Sequence, residues 1–346
     1  MQTITVHKIA SSTNGRIRRR ELRTREGGKV RPGDVIVVRA LEEKSVYDQL
    51  ELDSGRLAKI SKGDIIVATL GSRRALRGFV GHCPKTVHFG QELHILNMGG
   101  VCGIATSANK DYGSPLRVKA LGLVVEDDEV VNIGRDAVPP ADELDCDVPL
   151  IVVSGTCMAA GKTRAACEII GRLNRRGFRL GGLKLSGVAA LRDTLNMEDH
   201  GAVRALSFLD AGHPSTAQFR DLKPMAKGLI NELAKIEELD AIVIEMGDGI
   251  IGGYGVASIF DDRTLCDAMT VHVMCATDLV AAWGARETAR QLGREIDVMS
   301  GPATDNTVGE SYVEENLGMP AANARTRGER LADFVAVRCF GREAKL

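Results

Sequence analysis

The sequence predicts a doubly wound α/β domain with a mostly parallel sheet, preceded by a smaller β-rich, barrel-like domain. A continuous apolar run at 148–153 is followed by a glycine-rich loop and by apolar residues at helical spacing, an order typical of buried parallel strands. This alternation continues to about residue 300, whereas the residues before 126 form short strand-like runs punctuated by glycine. The length of 346 residues also favours two domains.

The composition favours a soluble, cytoplasmic protein. Lys and Arg total 45 and Asp and Glu total 46, so the net charge gives no reason to expect a nucleic-acid partner. No apolar run approaches the roughly 20 residues that span a bilayer, and no signal peptide opens the chain, so we expect no membrane partner. The eight cysteines are scattered without a CxxC pair, and we expect reduced thiols.

Residues 1–125 are predicted to form the β-rich domain. The run Val30–Val38 recurs as Ile60–Ala68, and each copy is a Gly-Asp turn that leads into β-branched residues. Closing such strands into a small barrel would remove exposed edges. A second glycine cluster, Asn97–Gly103, is predicted to be a turn, with contact to substrate as the alternative.

Residues 126–147 are predicted to be an acidic linker. They contain the pair Pro139 and Pro140, which restricts its neighbours to extended conformations, and their charges favour solvent. The basic stretch Arg16–Arg31 is interpreted as a solvated strand or loop, with contact to an anionic substrate as the alternative.

Residues 148–346 are predicted to form the nucleotide-binding domain. We expect strands at 148–153, 178–185, 239–245, 270–275 and 296–300, and helices after the glycine loop and at 199–209, 222–236 and 278–292.

The segment Ser154–Thr163 carries the strongest functional signal, because it lies between a buried strand and an amphipathic helix. Bound phosphate needs backbone N–H donors, a helix amino terminus and a cation, and this P-loop supplies all three. An exposed Lys162 would reach the terminal phosphates of ATP, and the Thr163 hydroxyl would bind Mg²⁺. The predicted nucleotide-binding residues of the loop are Gly155, Thr156, Ala159, Ala160, Gly161, Lys162, Thr163 and Arg164.

The loop has the form GTxxxxGKT, which resembles dethiobiotin synthetase, a P-loop family of the CobQ/MinD-type group. Three further segments are similar in order and type. Lys184 matches a lysine beside the reacting groups, although proline is replaced by Leu185. Asp199, with Asp193 as the competitor, matches a metal-binding aspartate, and Glu245 matches a glutamate that binds the metal.

The resemblance extends to the loop 301–306, which receives the purine in relatives, so Asp305 or Asn306 would bind the base edge. The amino-terminal domain has no counterpart in dethiobiotin synthetase, which argues against that particular reaction. The chain also resembles P-loop proteins with an added amino-terminal domain, some of them similar to D-amino-acid N-acetyltransferases, because Gly155-Thr156-Cys157 partly matches their Gly-Thr-x-Cys opening.

Physical reasoning indicates the same site. Ligands of open α/β sheets bind beyond the carboxyl ends of the strands, where the P-loop, Lys184, Glu245 and the loop 301–306 all lie. Glu245 near Thr163 would complete a Mg²⁺ site. The alternative is that Glu245 is a buried carboxylate that caps a glycine loop.

These features predict an ATP- and Mg²⁺-dependent enzyme that phosphorylates or activates a small carboxylate, carbamate or amino acid, with C–N bond formation as a further step. Lys162 and Mg²⁺ would stabilise the transferred phosphoryl, Lys184 would hold the anionic acceptor, and Glu245 would bind the metal. The alternatives are a nucleotide-switch ATPase of the MinD and ParA kind and an N-acyltransferase that uses acyl-CoA. By analogy with related sheets, we expect a homodimer or higher homo-oligomer.

Other residues are interpreted as structural. His82, His88 and His94 recur at intervals of six, which would place them on one face of a single strand, but Pro84 and Gly90 interrupt any such strand. Hydrogen-bonded or exposed histidines are therefore favoured over a metal site. Cys157 is interpreted as a small loop side chain, with a nucleophile as the alternative. Trp283 is predicted to pack against the sheet.

Overall fold

A computed structural model describes residues 1–341 of the protein, and contacts within it divide the chain into two compact units. The first unit comprises Met1–Val138, Val188–Arg192 and Phe208–Gln218, and the second comprises the remaining described residues. The boundary between them thus falls within the predicted linker. Part of that linker is regular structure, because Glu129–Val130 forms a strand paired with its neighbour. The sequence analysis did not predict that Val188–Arg192 and Phe208–Gln218 belong to the first unit.

The first unit consists mainly of short strands. They are β1 (Gln2–Thr5), β2 (Lys8–Ile9), β3 (Glu21–Arg25), β4 (Gly28–Lys29), β5 (Val35–Ala40), β6 (Gln49–Glu51), β7 (Leu57–Lys59), β8 (Ile65–Leu70), β9 (Arg73–Arg74), β10 (Phe79–His82), β11 (Thr86–Val87), β12 (Glu92–Ile95), β13 (Val101–Ala108), β14 (Leu116–Glu126) and β15 (Glu129–Val130). The pairings β14–β5–β8–β13–β12–β14 form a closed ring, in which only β8 and β13 run parallel. The ring encloses apolar side chains of β5, β8 and β14.

The two copies of the repeat form neighbouring strands, β5 and β8, which pair antiparallel. Each strand is preceded by the same turn. The Asp34 carboxylate accepts a hydrogen bond from the Arg31 N–H at 2.9 Å, and Asp64 accepts one from the Ser61 N–H at 2.7 Å. The glycine before each aspartate has a positive φ, so the Gly-Asp pair is required by the turn itself.

The second unit is an α/β domain around a six-stranded parallel sheet of order β18-β17-β19-β16-β20-β21. Its strands are β16 (Leu150–Gly155), β17 (Leu180–Lys184), β18 (Arg204–Ser207), β19 (Ala241–Glu245), β20 (Met269–Cys275) and β21 (Val298–Ser300). The helices are α1 (Lys162–Arg175), α2 (Arg192–Asp199), α3 (Lys223–Ala234), α4 (Ala257–Phe260), α5 (Arg263–Ala268), α6 (Leu279–Gln291), α7 (Thr307–Asn316) and α8 (Gly328–Phe340).

Helices cover both faces of this sheet. Residues of α1 and α8 pack with Ile151 and Val153 in one apolar core. Gly182 on β17 faces Met197 of α2, whereas its neighbour Gly181 faces Leu233 of α3. Because successive strand residues point to opposite faces, α3 lies on the face opposite α2. This is the doubly wound arrangement that the alternating pattern predicts.

The predicted helix at 199–209 is wrong. Helix α2 ends at Asp199, and Gly201 follows with φ 101°. The Ala202 N–H bonds to Met197 O and the Gly201 N–H bonds to Glu198 O, which is the Schellman arrangement that terminates helices. The next residues form the edge strand β18, so the apolar residues after 201 belong to the sheet.

The predicted packing of Trp283 is also wrong. The inward face of α6 carries Ala282, Ala285 and Ala289, which are buried at helical spacing. Trp283 lies outside that stripe and is 50% exposed. No helix among residues 1–341 is long and apolar enough to cross a membrane.

Candidate functional site

The P-loop connects β16 to α1 at the centre of the parallel sheet. Gly161 precedes the helix with φ 96° and has no side-chain cap, so the amino terminus of α1 keeps its N–H donors for another partner. A Cβ on Gly155 would lie 2.9 Å from the side-chain carbons of Lys162. Glycine is needed there because the lysine stem crosses directly over it.

Lys162 is buried, in contrast to the exposed loop lysine that the sequence predicts. Only 6% of its surface is accessible, and its Nζ donates a hydrogen bond to Cys157 O at 2.6 Å. Burial lowers the pKa of Lys162, and the positive charge of Lys184 lowers it further. The ammonium group is therefore held inside the loop at a cost in solvation, which an anionic ligand would offset.

Three polar side chains meet beside the P-loop. The Thr163 hydroxyl donates to Glu245 Oε1 at 2.7 Å, and Lys184 Nζ lies 2.5 Å from the same oxygen. The parallel pairing of β17 with β19 sets Lys184 opposite Glu245 at the carboxyl edge of the sheet. Lys184 Nζ also lies 2.9 Å from Asp193 Oδ2.

Glu245 is almost completely buried, with 1% of its surface accessible. Burial raises the pKa of its carboxyl group, against the influence of Lys184 and Thr163. Burial also opposes the charge of Lys184, but Asp193 and Glu245 outweigh it and raise the pKa of the lysine. Glu245 Oε2 has no hydrogen-bond partner among the described residues. A buried carboxylate oxygen without a partner is costly, so this atom fits a ligand role better than a purely structural one.

The acidic residue that reaches this cluster is Asp193, the competitor of Asp199 for the predicted role of metal-binding aspartate. That assignment placed Asp199 at the start of a helix, whereas it is the last residue of α2 and is exposed. Asp193 lies in the first turn of α2, directly after the segment that leaves β17.

The loop after β19 passes against the P-loop. The Ile250 N–H bonds to Gly155 O at 2.9 Å, and a Cβ on Gly249 would lie 2.3 Å from Thr156 O. Asp248, which lies between β19 and Gly249, has a positive φ of 61°. Burial raises the pKa of Asp248, and Lys162 opposes this shift. The glycines predicted beyond Glu245 thus allow two backbone segments to approach closely.

The loop 301–306 abuts the other side of the P-loop. A Cβ on Gly301 would lie 2.4 Å from Ala160 O. The Asn306 side chain accepts hydrogen bonds from the Val308 and Gly309 N–H groups and caps α7. Asn306, one of the two predicted base-binding residues, therefore uses its side-chain oxygen to cap the helix.

Asn323 organises the loop 301–306, a role that the sequence did not predict. It is 1% exposed, and its Nδ2 donates to Gly301 O at 2.8 Å and to Asp305 Oδ1 at 2.8 Å. Its Oδ1 accepts from the Arg325 N–H at 2.8 Å. An isolated Asn in an alanine-rich stretch has no local spacing signal that would reveal these long-range contacts.

The remaining candidates lie apart from the cluster or in local contacts. Arg164 is exposed and pairs with Glu168 at 3.3 Å, and the Cys157 thiol lies 3.1 Å from Met158 O. His82 and His88 are exposed, whereas His94 is partly buried. Within residues 1–341, no three His, Cys, Asp or Glu residues are grouped as a metal site.

No family model matches the chain, and no curated protein matches its sequence. Among solved structures, the chain is similar to the hydrogenase maturation factor HypB from Archaeoglobus fulgidus, with 16% identity over 54% of this chain and 88% of that chain and a TM-score of 0.36. It is also similar to a nucleotide-binding protein in complex with ADP from the same organism, with 14% identity over 55% and 87% and a TM-score of 0.34.

A third similar structure is the signal recognition particle 54 kDa protein from Aeropyrum pernix in complex with GDP. Its identity is 15% over 57% of this chain and 47% of that chain, with a TM-score of 0.35. With TM-scores below 0.5, these likenesses do not decide what this chain does.

Proposed function

We propose that the chain is a P-loop enzyme that binds a nucleoside triphosphate, ATP in the first instance, together with Mg²⁺ and cleaves its terminal phosphoryl group. The observation that carries the proposal is the meeting of Thr163, Lys184 and Glu245 beside a buried P-loop lysine. All these groups lie at the carboxyl edge of one parallel sheet, where open α/β sheets bind their ligands.

The P-loop supplies the phosphate site. The uncapped amino terminus of α1 offers backbone N–H donors and the positive end of a helix dipole. Lys162 adds a positive charge that its burial makes stronger toward a bound anion, because the local dielectric is low. Among the described residues Lys162 forms no ion pair, so its charge is available for phosphate.

The residues around Glu245 fit a magnesium ion. Thr163, Glu245 and Asp193 supply hard oxygen ligands, and Glu245 Oε2 is buried without a partner. When bound, Mg²⁺ neutralises charge on the phosphates. Lys184 holds Glu245 and Asp193 close together despite their like charges, since it contacts both.

The finer part of the proposal is that the phosphoryl is transferred to a small acceptor, a carboxylate, carbamate or amino acid, as the resemblance to dethiobiotin synthetase implies. One sequence feature favours this over a switch ATPase of the MinD and ParA kind, whose loop has an additional lysine near its start. In this chain Ser154 and Gly155 stand there instead.

The test is to incubate the full chain with Mg²⁺ and ATP, with and without a pool of small amino and carboxylic acids, and to follow products by mass spectrometry. A phosphorylated or ligated acid supports the acceptor reaction, whereas phosphate release without an acid supports a hydrolytic switch. Loss of coenzyme A from acyl-CoA without ATP would overturn both. Arg175→Met, which removes a charge from the exposed far end of α1, is the control for charge variants in the loop.

A further inference from the structure

We propose that Glu51 is a positioning residue for Asp193, and that it acts through the backbone segment Val188–Arg192. The proposal rests on the cation site proposed above, to which Asp193 contributes a carboxylate. By its contacts the segment belongs to the first unit, together with Glu51. Along the chain it connects Lys184, at the end of β17, to Asp193, in the first turn of α2.

Glu51 is completely buried and directed at this segment. Its Oε2 accepts a hydrogen bond from the Leu191 N–H at 2.7 Å, and its Oε1 accepts one from the Arg192 N–H at 2.8 Å. The Ser11 hydroxyl donates to Oε2 as well. Both carboxylate oxygens are thus used, and a buried carboxylate with several donors is held firmly in one orientation.

The two N–H groups lie at the beginning of α2, where a helix has N–H groups without intrahelical partners. A carboxylate at this end is favoured both by hydrogen bonding and by the helix dipole. Glu51, which is distant in sequence, therefore binds the backbone that leads into α2. Asp193 is the next residue after Arg192, so fixing the Arg192 backbone fixes the point from which the Asp193 side chain extends.

The glycine cluster Asn97–Gly103 holds the same segment at Ala189, two residues before Leu191. Asn97 Nδ2 donates to Ala189 O at 2.6 Å, and its Oδ1 accepts from the Val101 N–H at 2.9 Å. A Cβ on Gly99 would lie 1.8 Å from Ala189 O, so only glycine permits this approach. The cluster that the sequence left open between turn and substrate contact thereby acquires a specific role, which is to hold Ala189.

Small displacements matter at this position. Asp193 Oδ2 lies 2.9 Å from Lys184 Nζ, and Lys184 contacts Glu245. A misplacement of about 1 Å at a reacting centre is enough to slow the reaction about 10²-fold. Loosening α2 at its first turn would move one carboxylate of the cation site without touching the P-loop.

The variant Glu51→Gln tests this. Gln has one acceptor oxygen, so either the Leu191 or the Arg192 N–H would face an amide NH₂. We expect the Mg²⁺ concentration at half-maximal nucleotide binding, measured by calorimetry in full-length protein, to rise about fivefold to tenfold, equivalent to about 1–1.4 kcal/mol. Metal-free nucleotide affinity should be unchanged, and hydrogen exchange of the 191–193 amides should accelerate. The matched control is Asp34→Asn, because Asp34 is also a buried carboxylate of the first unit that accepts a backbone N–H, at Arg31.

A double-mutant cycle separates positioning from general destabilisation. If Glu51 acts through Asp193, Glu51→Gln shifts the Mg²⁺ requirement in the wild-type background but not in Asp193→Asn. If Glu51→Gln folds poorly, Asn97→Ala, which releases Ala189, replaces it in the same cycle. An equal shift in both backgrounds, or a shift with Asp34→Asn, would overturn the proposal.

The outcomes also distinguish this proposal from the proposed function. If Asp193→Asn raises the Mg²⁺ requirement and Glu51→Gln does not, positioning by Glu51 is refuted while the cation site stands. If Asp193→Asn leaves the Mg²⁺ requirement unchanged, Asp193 is not a ligand of the cation, and positioning of Asp193 by Glu51 is refuted as well. The nucleotide affinity of a Lys162 variant then decides independently whether the P-loop binds phosphate.

Discussion

Replacing Lys162 with Met separates the charge of this residue from its packing. Met preserves most of the stem that crosses Gly155 and removes only the ammonium group. Because burial lowers the pKa of Lys162, the charged form is disfavoured in the folded protein relative to the unfolded chain. This cost is fully present below the folded pKa and disappears above the unfolded pKa, so a neutral side chain should leave stability at pH 7 unchanged or increase it.

The affinity of Lys162→Met for nucleotide, in contrast to its stability, should fall. A hydrogen bond to a charged group contributes about 1.5–3 kcal/mol, which corresponds to roughly a 10- to 150-fold loss in affinity. Turnover should fall by about a further 10²–10³, since the charge stabilises the transferred phosphoryl as well as the bound ligand. The Cys157 carbonyl that Lys162 contacts belongs to a partly exposed residue, so water can replace the lost donor.

The assays are calorimetric titration with ATP and thermal unfolding at pH 7, with Arg175→Met as the charge control. Lys162→Ala adds a packing loss to the same charge loss, so it should be less stable than Lys162→Met but equally weak in binding. A folded Lys162→Met protein with wild-type affinity and turnover would refute the assignment of the P-loop.

Three further outcomes are expected. Glu245→Gln should raise the Mg²⁺ concentration needed for nucleotide binding at least tenfold, since the amide loses the charge that attracts a hard cation, and an unchanged titration would make Glu245 structural. Asn323→Ala should lower the free energy of unfolding in urea by about 2–3 kcal/mol and weaken nucleotide binding, because the loop 301–306 loses its donors; wild-type values for both would contradict this. Burial lowers the pKa of His272 to about 4, so the stability present above about pH 6.5 should fall by about 3 kcal/mol as the pH drops toward 4, and His272→Gln should show a flatter pH dependence.

Sequence reasoning was most effective where function depends on the ends of parallel strands. The apolar run before the P-loop locates β16, and the segments ending in Lys184 and Glu245 have the same form. Because parallel strands in register end at one edge, their terminal residues must meet, and they do so at 2.5 Å. The local pattern therefore predicted that both residues lie at the same edge of the sheet, although it did not predict the ion pair between them.

Sequence reasoning failed where the deciding contact has no local pattern. The apolar residues after Gly201 fit a helix as well as a short edge strand, and only the hydrogen bonds at Gly201 and the pairing with β17 decide between them. Glu51 and Leu191 are 140 positions apart, and nothing near either residue indicates their hydrogen bond. Asn323 is a similar case, as its partners Gly301 and Asp305 precede it by 22 and 18 residues and lie on a different element.

Lys162 and Lys184 are expected to have different roles in the site because their surroundings differ. Lys184 contacts two carboxylates, which raise its pKa and neutralise its charge within the protein. Lys162 donates to a neutral carbonyl, and both burial and Lys184 lower its pKa. A triphosphate entering the P-loop would relieve the unfavourable charge of Lys162 but could attract Lys184 only by displacing Glu245 or Asp193. We therefore expect Lys162 to be the cation that binds phosphate, and Lys184 to be the cation that keeps the two carboxylates in place for a metal.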